Sequence, residues 1–411
     1  MTASLLAHAR SMPAESGPPG EIGAPLRLVL QLRDELRAKA VRFCQWKSND
    51  RQARSLSGEN DLDLLVHRND ARRFLSVLAR LGFNRAVAPG REHHGAAHFY
   101  GLDRTSGRLV HVHAQFQLVL GDDTTKNFRL PIEAAYLAST RHDEALPAPA
   151  VEFELALFVV RTMLEHGTWD AVAMGRGRLT PAEERELAWL LACADLEATR
   201  DVVTRHLDGV GVALWDRCLA SLTDHSSLRR RVSLGGKLLT ALAPHRRRSR
   251  PADAATRVLR RVRWGWTRVV LRRPDRKRFE RAGLTVAVLG DDGSVPTTVA
   301  HSVADWLGTT FVVKRAHLGN PRLREYRALR RVADAGGVVV CDGWPLPELH
   351  AEAERRSDAR IAPPDVLVVL RSDPTDVLDT DWSTTPAVVI DATQPPELVL
   401  AGIRVAIWER L

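Results

Sequence analysis

Two carboxylates stand two residues apart in Ser57-Gly58-Glu59-Asn60-Asp61-Leu62-Asp63-Leu64-Leu65-Val66, where the apolar residues read as a strand over Asp61–Val66. Residues two apart on a strand face the same side. Asp61 and Asp63 therefore project together beside a flexible Ser-Gly turn. Adjacent carboxylates repel each other and favour a divalent cation, Mg²⁺ or Mn²⁺, which can in turn hold nucleotide phosphates. The plainer alternative is a pair of strand-edge acids with no ligand.

A second pattern lies in the last third of the chain. Leu284–Leu289 is a run of apolar residues, followed at once by Gly290-Asp291-Asp292-Gly293-Ser294-Val295-Pro296-Thr297-Thr298. A phosphate-binding loop reads GxxxxGK[ST] between a strand and a helix. Gly290 takes its first position and Thr297 its last, while the second Gly is Val295 and the Lys is Pro296. A glycine there lets backbone N–H groups wrap the β-phosphate, and a β-branched residue resists such dihedrals. The lysine neutralises transferring phosphates; proline brings no charge and no N–H, though it suits the first turn of a helix.

The elements that must hold these residues follow from periodicity. Leu26–Val41 and Asp70–Leu81 have helical spacing, and Arg108–Leu120 alternates like a strand, so residues 26–145 predict a small α/β or α+β domain. Residues 151–225 predict a helical region, clearest in Glu152–Glu165 and Pro181–Ala194. From 283 to 411 the apolar runs Leu284–Leu289, Thr310–Val313, Val338–Cys341, Asp365–Leu370 and Ala387–Ile390 alternate with helices, ending on Pro396–Arg410. Continuous Val/Leu/Ile runs of this kind predict a parallel sheet buried on both faces, in a three-layer α/β domain. The fold class is thus α/β and multidomain. Residues 1–25 read as a disordered tail.

Composition narrows the setting. The chain has 411 residues, 45% hydrophobic and 27% charged, as in ordinary globular proteins. Cys44, Cys193, Cys218 and Cys341 have no CxxC or CxxH spacing, which signals neither a zinc site nor a disulfide framework. No run of about 18 apolar residues occurs, and a cytoplasmic location is expected. Basicity is concentrated: residues 229–281 hold 19 Lys or Arg against three acids, a local net of +16 in a chain of net +9. Within this basic linker, taken as 226–282, Val258, Leu259, Val262, Trp266, Val269 and Val270 recur at helical spacing. A basic amphipathic helix over Ala254–Arg273 reads first as a linker helix that packs its apolar stripe on the neighbouring domain and solvates its arginines. The same pattern offers an anionic membrane surface as partner, with nucleic-acid phosphates as the weaker alternative.

Gly58 with Asp61-x-Asp63, preceded by Trp46-Lys47-Ser48-Asn49, resembles the nucleotidyltransferase superfamily related to DNA polymerase β. It is most similar to uncharacterised bacterial members carrying "G…DLDLLV", over roughly residues 26–140. The resemblance implies that the two Asp, with a third carboxylate on a later strand, hold metal ions that activate an acceptor hydroxyl to attack a nucleotide's α-phosphate. Here the later strand is Leu109-Val110-His111-Val112-His113, and His111 aligns with the third carboxylate. An imidazole favours Mn²⁺ or Zn²⁺ over Mg²⁺. His111, with His113 on the same side, is left open as a metal ligand, a base or a hydrogen-bonded strand residue. His93, His94 and His98 lie just upstream, either as further ligands or as a polar loop. Lys is rare in this protein, so Lys47 and Lys126 stand out, Lys47 as a phosphate contact or an exposed surface residue. Ser57 and Gly58 are further candidates for nucleotide contact.

Residues 283–411 resemble thymidylate kinase and related P-loop nucleoside monophosphate kinases. The family's "GxDGxGKST" is matched by Gly290–Thr298, its "DR(Y/W)" by Asp342-Gly343-Trp344, and its "PDL…L..dP" by Pro364–Pro374. The resemblance implies nucleotide contacts at Gly290, Gly293, Thr297, Thr298 and Asp342. Three of the family's cationic elements are absent together. Pro296 replaces the Lys, Gly343 replaces the Arg, and the connection Ser372–Thr385, where the family has a basic lid, holds no Arg or Lys. The expectation is a nucleotidyltransferase-like protein, acting on a nucleoside triphosphate and an unidentified acceptor at Asp61 and Asp63, with a kinase-like domain that has lost phosphoryl transfer. The alternatives are a non-catalytic scaffold or regulator, for instance at a membrane-associated assembly for polysaccharide synthesis, or a divergent nucleotide kinase.

Overall fold

The structure, a computed structural model, describes residues 23–88, 95–122, 124–142, 145–223, 227–266, 276–290, 294–317, 323–344, 363–371 and 387–411. His93, His94, Asp291, Asp292, Gly293, Val269, Val270 and the segment Ser372–Thr385 lie outside these residues. Among the described residues no helix is long and apolar enough to cross a membrane.

The first part of the chain runs α1 (Arg27–Ala38), β1 (Phe43–Gln45), α2 (Gln52–Leu56), β2 (Leu62–Val66), α3 (Ala71–Arg80), β3 (Asn84–Val87), β4 (Ala96–Leu102) and β5 (Leu109–Gln115). β6 (Leu118–Leu120) and β7 (Phe128–Leu130) form a separate two-stranded ribbon, and α4 is Glu133–Ala138. The main sheet has the order β1-β2-β5-β4-β3, extended by β8 (Arg278–Phe279) on the free edge of β3. Only β2 and β5 pair in parallel; the other pairings are antiparallel. Alternation along the strands sorts the residues onto two faces. Leu62, Leu64, Phe99, Val110 and Val112 join Val29, Leu32, Leu36, Phe74 and Val77 in one core, so α1 and α3 cover that face. The opposite face carries Asp63, His98, Tyr100, His111 and His113. The alternating run predicted over 108–120 is therefore two strands in different sheets, broken at Phe116-Gln117 where the chain leaves the first sheet.

The helical region consists of α5 (Val151–His166), α6 (Trp169–Ala173), α7 (Pro181–Cys193), α8 (Leu196–His206), α9 (Val212–Thr223) and α10 (Leu228–Ala241). α5 is buried nearly all round, as suits the central helix of a bundle. It packs with Trp215, Leu234 and Leu238, and also with Cys44, Trp46 and Leu65 of the first sheet. α11 (Arg250–Gly265) follows.

The second sheet contains β9 (Leu284–Gly290), β10 (Val313–His317), β11 (Val338–Asp342), β12 (Val366–Arg371) and β13 (Ala387–Asp391), in the order β10-β11-β9-β12-β13 and parallel throughout. α12 (Ser294–Gly308), α13 (Leu323–Asp334) and α14 (Pro396–Trp408) accompany it. Residues from both of its faces are buried, which is the predicted parallel-sheet pattern. One strand is displaced from the apolar run Thr310–Val313. β10 is Val-Lys-Arg-Ala-His, an edge strand with exposed Lys314 and Arg315, and charged edges of this kind carry no apolar signature.

The two sheets share a core. Ala86, Tyr100 and Leu102 of the first belong with Leu284, Phe311, Ile403 and Trp408 of the second. The Phe311 ring lies 4.4 Å from Phe279 and 5.0 Å from Tyr100, and Trp408 Nε1 donates to Gly82 O at 2.9 Å.

Candidate functional site

The parallel register of β2 and β5 sets Asp63 opposite His113 and Leu62 opposite Val112. The antiparallel register of β5 and β4 sets His98 opposite His113 and Tyr100 opposite His111. One sheet face thus becomes a grid of titratable side chains. Asp61 Oδ1 lies 2.7 Å from His111 Nδ1, and Asp63 Oδ1 lies 2.9 Å from His113 Nδ1. His98 Nδ1 is 3.0 Å from His111 Nε2. The rings stack: Tyr100 on His111 at 4.4 Å, and His98 on His113 at 4.6 Å.

Lys47 closes one side of the grid, with Nζ 3.2 Å from Asp63 Oδ1. Its loop is held by the helical region. Ser48, at a left-handed φ of 59°, gives its N–H to Glu186 Oε1 at 3.2 Å, and Asn49 Nδ2 donates to Glu154 Oε2 at 3.0 Å. Tyr136 Oη donates to Trp46 O at 2.7 Å. Lys277 closes the other side. It comes from the segment leading into the second sheet, tied there by its own N–H to Thr310 O at 3.0 Å and by the N–H of Val312 to Lys277 O at 2.9 Å. Its ammonium meets Tyr100 Oη and lies 5.0 Å from the Tyr100 ring. The face is therefore assembled from all three regions of the chain.

The electrostatics follow from burial and pairing. Burial alone would raise Asp63, but the Lys47 charge and the His113 hydrogen bond outweigh it and hold the carboxyl well below its usual range. Asp61, with a side chain 55% exposed, opens towards solvent; there too burial is outweighed by His111 and the carboxyl is lowered. Burial lowers His111 despite Asp61 beside it, and lowers His98 to about 3 with help from the neighbouring positive charges. Burial raises the Tyr100 phenol.

These states assign the protons. An ionised Asp61 only accepts, so His111 donates from Nδ1. A neutral His111 then accepts at Nε2, so His98 donates from Nδ1 and keeps a lone pair on its own Nε2. The result is an Asp61–His111–His98 relay, in which each group fixes the tautomer of the next.

A divalent ion on Asp61 and Asp63 is what the nucleotidyltransferase resemblance implies. The donors do not fit one as they are arranged. Asp63 Oδ1 already meets both His113 and Lys47, and Asp61 Oδ1 meets His111. Among the described residues, three metal-type ligands converge at Glu165, His166 and Glu183, and not at Asp61, Asp63, His111 and His113. Even that cluster is internally paired, His166 with Glu183 at 2.9 Å and Glu165 with Lys126 at 2.9 Å.

The other predicted residues are placed as follows. Ser57 is buried, its hydroxyl donating to Arg54 O at 3.2 Å. Gly58 has φ 70°, and a Cβ there would come within 2.5 Å of Leu26 Cδ1, so glycine is needed for the turn into β2. Lys126 is engaged by Glu165 in the helical region, away from the carboxylate grid. Gly290 ends β9, and Thr297 and Thr298 lie in the first two turns of α12. The ring of Pro296 fills the space over Gly290: a Cβ on Gly290 would lie 2.9 Å from Pro296 Cγ. Asp342 ends β11, buried, with His317 Nδ1 3.1 Å from its Oδ1. Gly343 has φ 82°, a conformation that favours glycine over the arginine of the motif it resembles. Gly290 and Asp342 stand at the carboxyl ends of neighbouring strands whose onward connections leave in opposite directions. This is the switch point at which open α/β sheets bind ligands.

Sequence reasoning missed Tyr100, Lys277 and the relay role of His98. Their signal is register, which a single sequence does not carry across the long separation from Tyr100 to Lys277. No family model matches this chain, and no curated protein or solved structure is significantly similar to it.

Proposed function

We propose that the chain transfers a nucleotidyl group from a nucleoside triphosphate to a hydroxyl acceptor on the grid face of β2, β4 and β5. The observation that carries this reading is the relay Asp61–His111–His98, with contacts of 2.7 and 3.0 Å, flanked by Lys47 and Lys277. An acceptor hydroxyl at His98 Nε2 gives its proton to that nitrogen as its oxygen attacks the α-phosphorus, once the bound triphosphate has offset the Lys277 charge that helps to lower His98 in the free protein. One P–O bond forms, the bond to the bridging oxygen breaks, and pyrophosphate leaves. Asp61 stabilises the positive charge that spreads onto His111, as an orienting carboxylate does beside a general base. Lys47 and Lys277 are the cations placed to meet the phosphates. This proton path uses no metal ion.

In the same reading the first sheet with α1 and α3 is a nucleotidyltransferase-like unit. The parallel sheet is a P-loop-kinase-like unit that no longer transfers phosphate. Support for the latter comes from Pro296 seated on Gly290 where a phosphate-binding loop keeps open backbone, and from Gly343 where the related motif has an arginine.

The test is calorimetric titration with each nucleoside triphosphate in Mg²⁺, Mn²⁺ or EDTA, paired with a pyrophosphate-release assay across hydroxyl acceptors. Binding and release are expected to fall in Asp61→Asn and His98→Gln proteins. Equal binding and turnover by the Asp61→Asn/Asp63→Asn double variant would sink the proposal. A scaffold role is favoured by one observation, that both grid carboxylates already have cationic or imidazole partners; it requires that no acceptor yields pyrophosphate. ADP formation from ATP and a nucleoside monophosphate, abolished by Asp342→Ala, would restore kinase activity to the second sheet.

A further inference from the structure

The basic helix docks the other way round from the expected linker. Three of its arginines face the protein: Arg257 meets Asp170 and Asp253 at 3.2 and 2.6 Å, Arg261 meets Asp170 and Asp122 at 2.6 and 3.3 Å, and Arg260 donates to Thr124 O at 2.7 Å. The apolar residues point outward. Val258 is 62% exposed, Leu259 68%, Val262 62% and Trp266 59%. At about 100° per residue these four fall within one arc of about 100°, opposite Asp253, Arg257 and Arg261.

We infer that α11 rests on an anionic membrane surface with this stripe embedded among the lipid headgroups. Exposed apolar patches of this kind mark contact surfaces. Nucleic acid is a poorer match, because Arg257 and Arg261 are turned inward onto Asp122, Asp170 and Asp253 and the outer face is chiefly apolar. A lipid interface matches both features that remain. Trp266 and the aliphatic residues suit the headgroup–acyl boundary. Exposed Arg263 borders the stripe and complements anionic headgroups. The ion pairs to Asp122 and Asp170 hold the helix against the protein with its apolar face outward. The inference is independent of the nucleotidyl-transfer reading.

The full-length protein is tested by flotation with phosphatidylcholine vesicles, with and without phosphatidylglycerol, against a Leu259→Glu/Val262→Glu variant. Both changed side chains are exposed, and circular dichroism and thermal melting of the variant are expected to match the parent. The parent is expected to float with the anionic vesicles at least tenfold more than the variant. Added salt should weaken that binding, and neutral vesicles should retain little protein. Flotation of the variant equal to the parent, or no flotation of the parent, overturns the inference. Overturning it equally would be a self-associated parent and a monomeric variant by analytical ultracentrifugation with no lipid binding, which assigns the stripe to a second copy of the chain. Arg263→Glu supplies the charge arm: it should reduce binding to anionic vesicles while leaving the apolar stripe whole.

Discussion

His98 and His111 face each other across β4 and β5 with Nδ1 and Nε2 3.0 Å apart, their rings 5.2 Å between centroids. Two imidazoles at this distance cannot both be charged. Because His111 donates its Nδ1–H to Asp61, the sharing is settled in one direction: His98 donates from Nδ1 and carries its lone pair on Nε2. A carboxylate on one strand thus fixes the protonation of a residue two strands away, through side chains that the sequence separates by 37 positions.

The first prediction concerns those tautomers. Long-range ¹H–¹⁵N spectra should show His98 neutral with its proton on Nδ1, and no titration of His98 until the pH nears about 3. A free histidine titrates near 6.5. The sign for stability follows. Between these pH values the unfolded chain binds more protons than the folded one, so stability is full above about 6.5 and falls as the solution is acidified towards 3. His98→Gln should flatten that slope in pH-dependent melting; an unchanged slope would contradict the assignment.

The second concerns Lys47. Its ammonium meets Asp63 over the Trp46 ring, at 5.4 Å from the ring centroid, and the side chain is only 29% exposed. Lys47→Ala should weaken triphosphate binding by tenfold or more while lowering stability by about 1 kcal/mol, the scale of a partly buried pair. Lys47→Arg should retain most of the binding. Calorimetry and denaturant melts separate the two effects.

Much of the fold could be read before any coordinates, and the unread part has a common cause. Asp61–Val66, Val338–Cys341 and Ala387–Ile390 are apolar runs whose periodicity marks them as strands. β1 and β3 are short, and β4 interleaves His98 and Gly101 among its apolar residues, so none carries a clear period. In the site, Asp61, Asp63, His111 and His113 were visible because spacing of two puts each pair on one side. Which carboxylate meets which imidazole depends on the parallel pairing of β2 with β5, and Lys277 reaches the site only because β8 joins the first sheet's edge. The orientation of α11 was likewise hidden. Its amphipathic spacing is plain, but the sequence does not say that Asp122 and Asp170 stand ready to receive the arginine side.

The third prediction tests the shared core. Phe311 is fully buried between Phe279 and Tyr100, and its neighbours Thr310 and Val312 tie down the backbone of Lys277. Phe311→Ala should cost about 3–5 kcal/mol, as for large-to-small core changes, and should lower transferase turnover by loosening Lys277. Lys277→Met should lower turnover with a much smaller change in melting temperature. Equal turnover in the two variants and the parent would remove Lys277 from the site.

A fourth prediction lies beneath the Lys47 loop. Burial raises the Glu154 carboxyl from 4.5 to about 8, although Asn49 hydrogen-bonds to it. Here the folded state holds the extra proton. Stability is therefore full below about 4.5 and declines as the pH rises towards 8, beyond which there is no further loss from this group. Glu154→Gln keeps the acceptor for Asn49 Nδ2 and removes the titration. Its stability curve should be flatter than the parent's across that window, measured by urea midpoints at several pH values.

The last prediction concerns the loop at Gly290, which departs from the phosphate-binding pattern it resembles. Gly290 is not kept for a positive φ; it is kept because Pro296 Cγ and Leu370 O would stand 2.9 and 3.2 Å from any Cβ. Gly290→Ala should therefore destabilise the protein by about 1–3 kcal/mol, the range for overpacking a tight interior. Pro296→Ala alone removes the ring from the space over Gly290 and should cost less. In the double variant the proline clash is gone and the carbonyl and Cβ of Leu370 remain, so the two changes should be less than additive, with a coupling of about 0.5 kcal/mol or more. Strict additivity would mean that Pro296 does not occupy the space over Gly290. The same variants report on chemistry. If proline has closed a loop that once wrapped phosphate, Val295→Gly/Pro296→Lys should acquire affinity for inorganic triphosphate without gaining turnover, because Gly343 still stands where the related motif has its arginine.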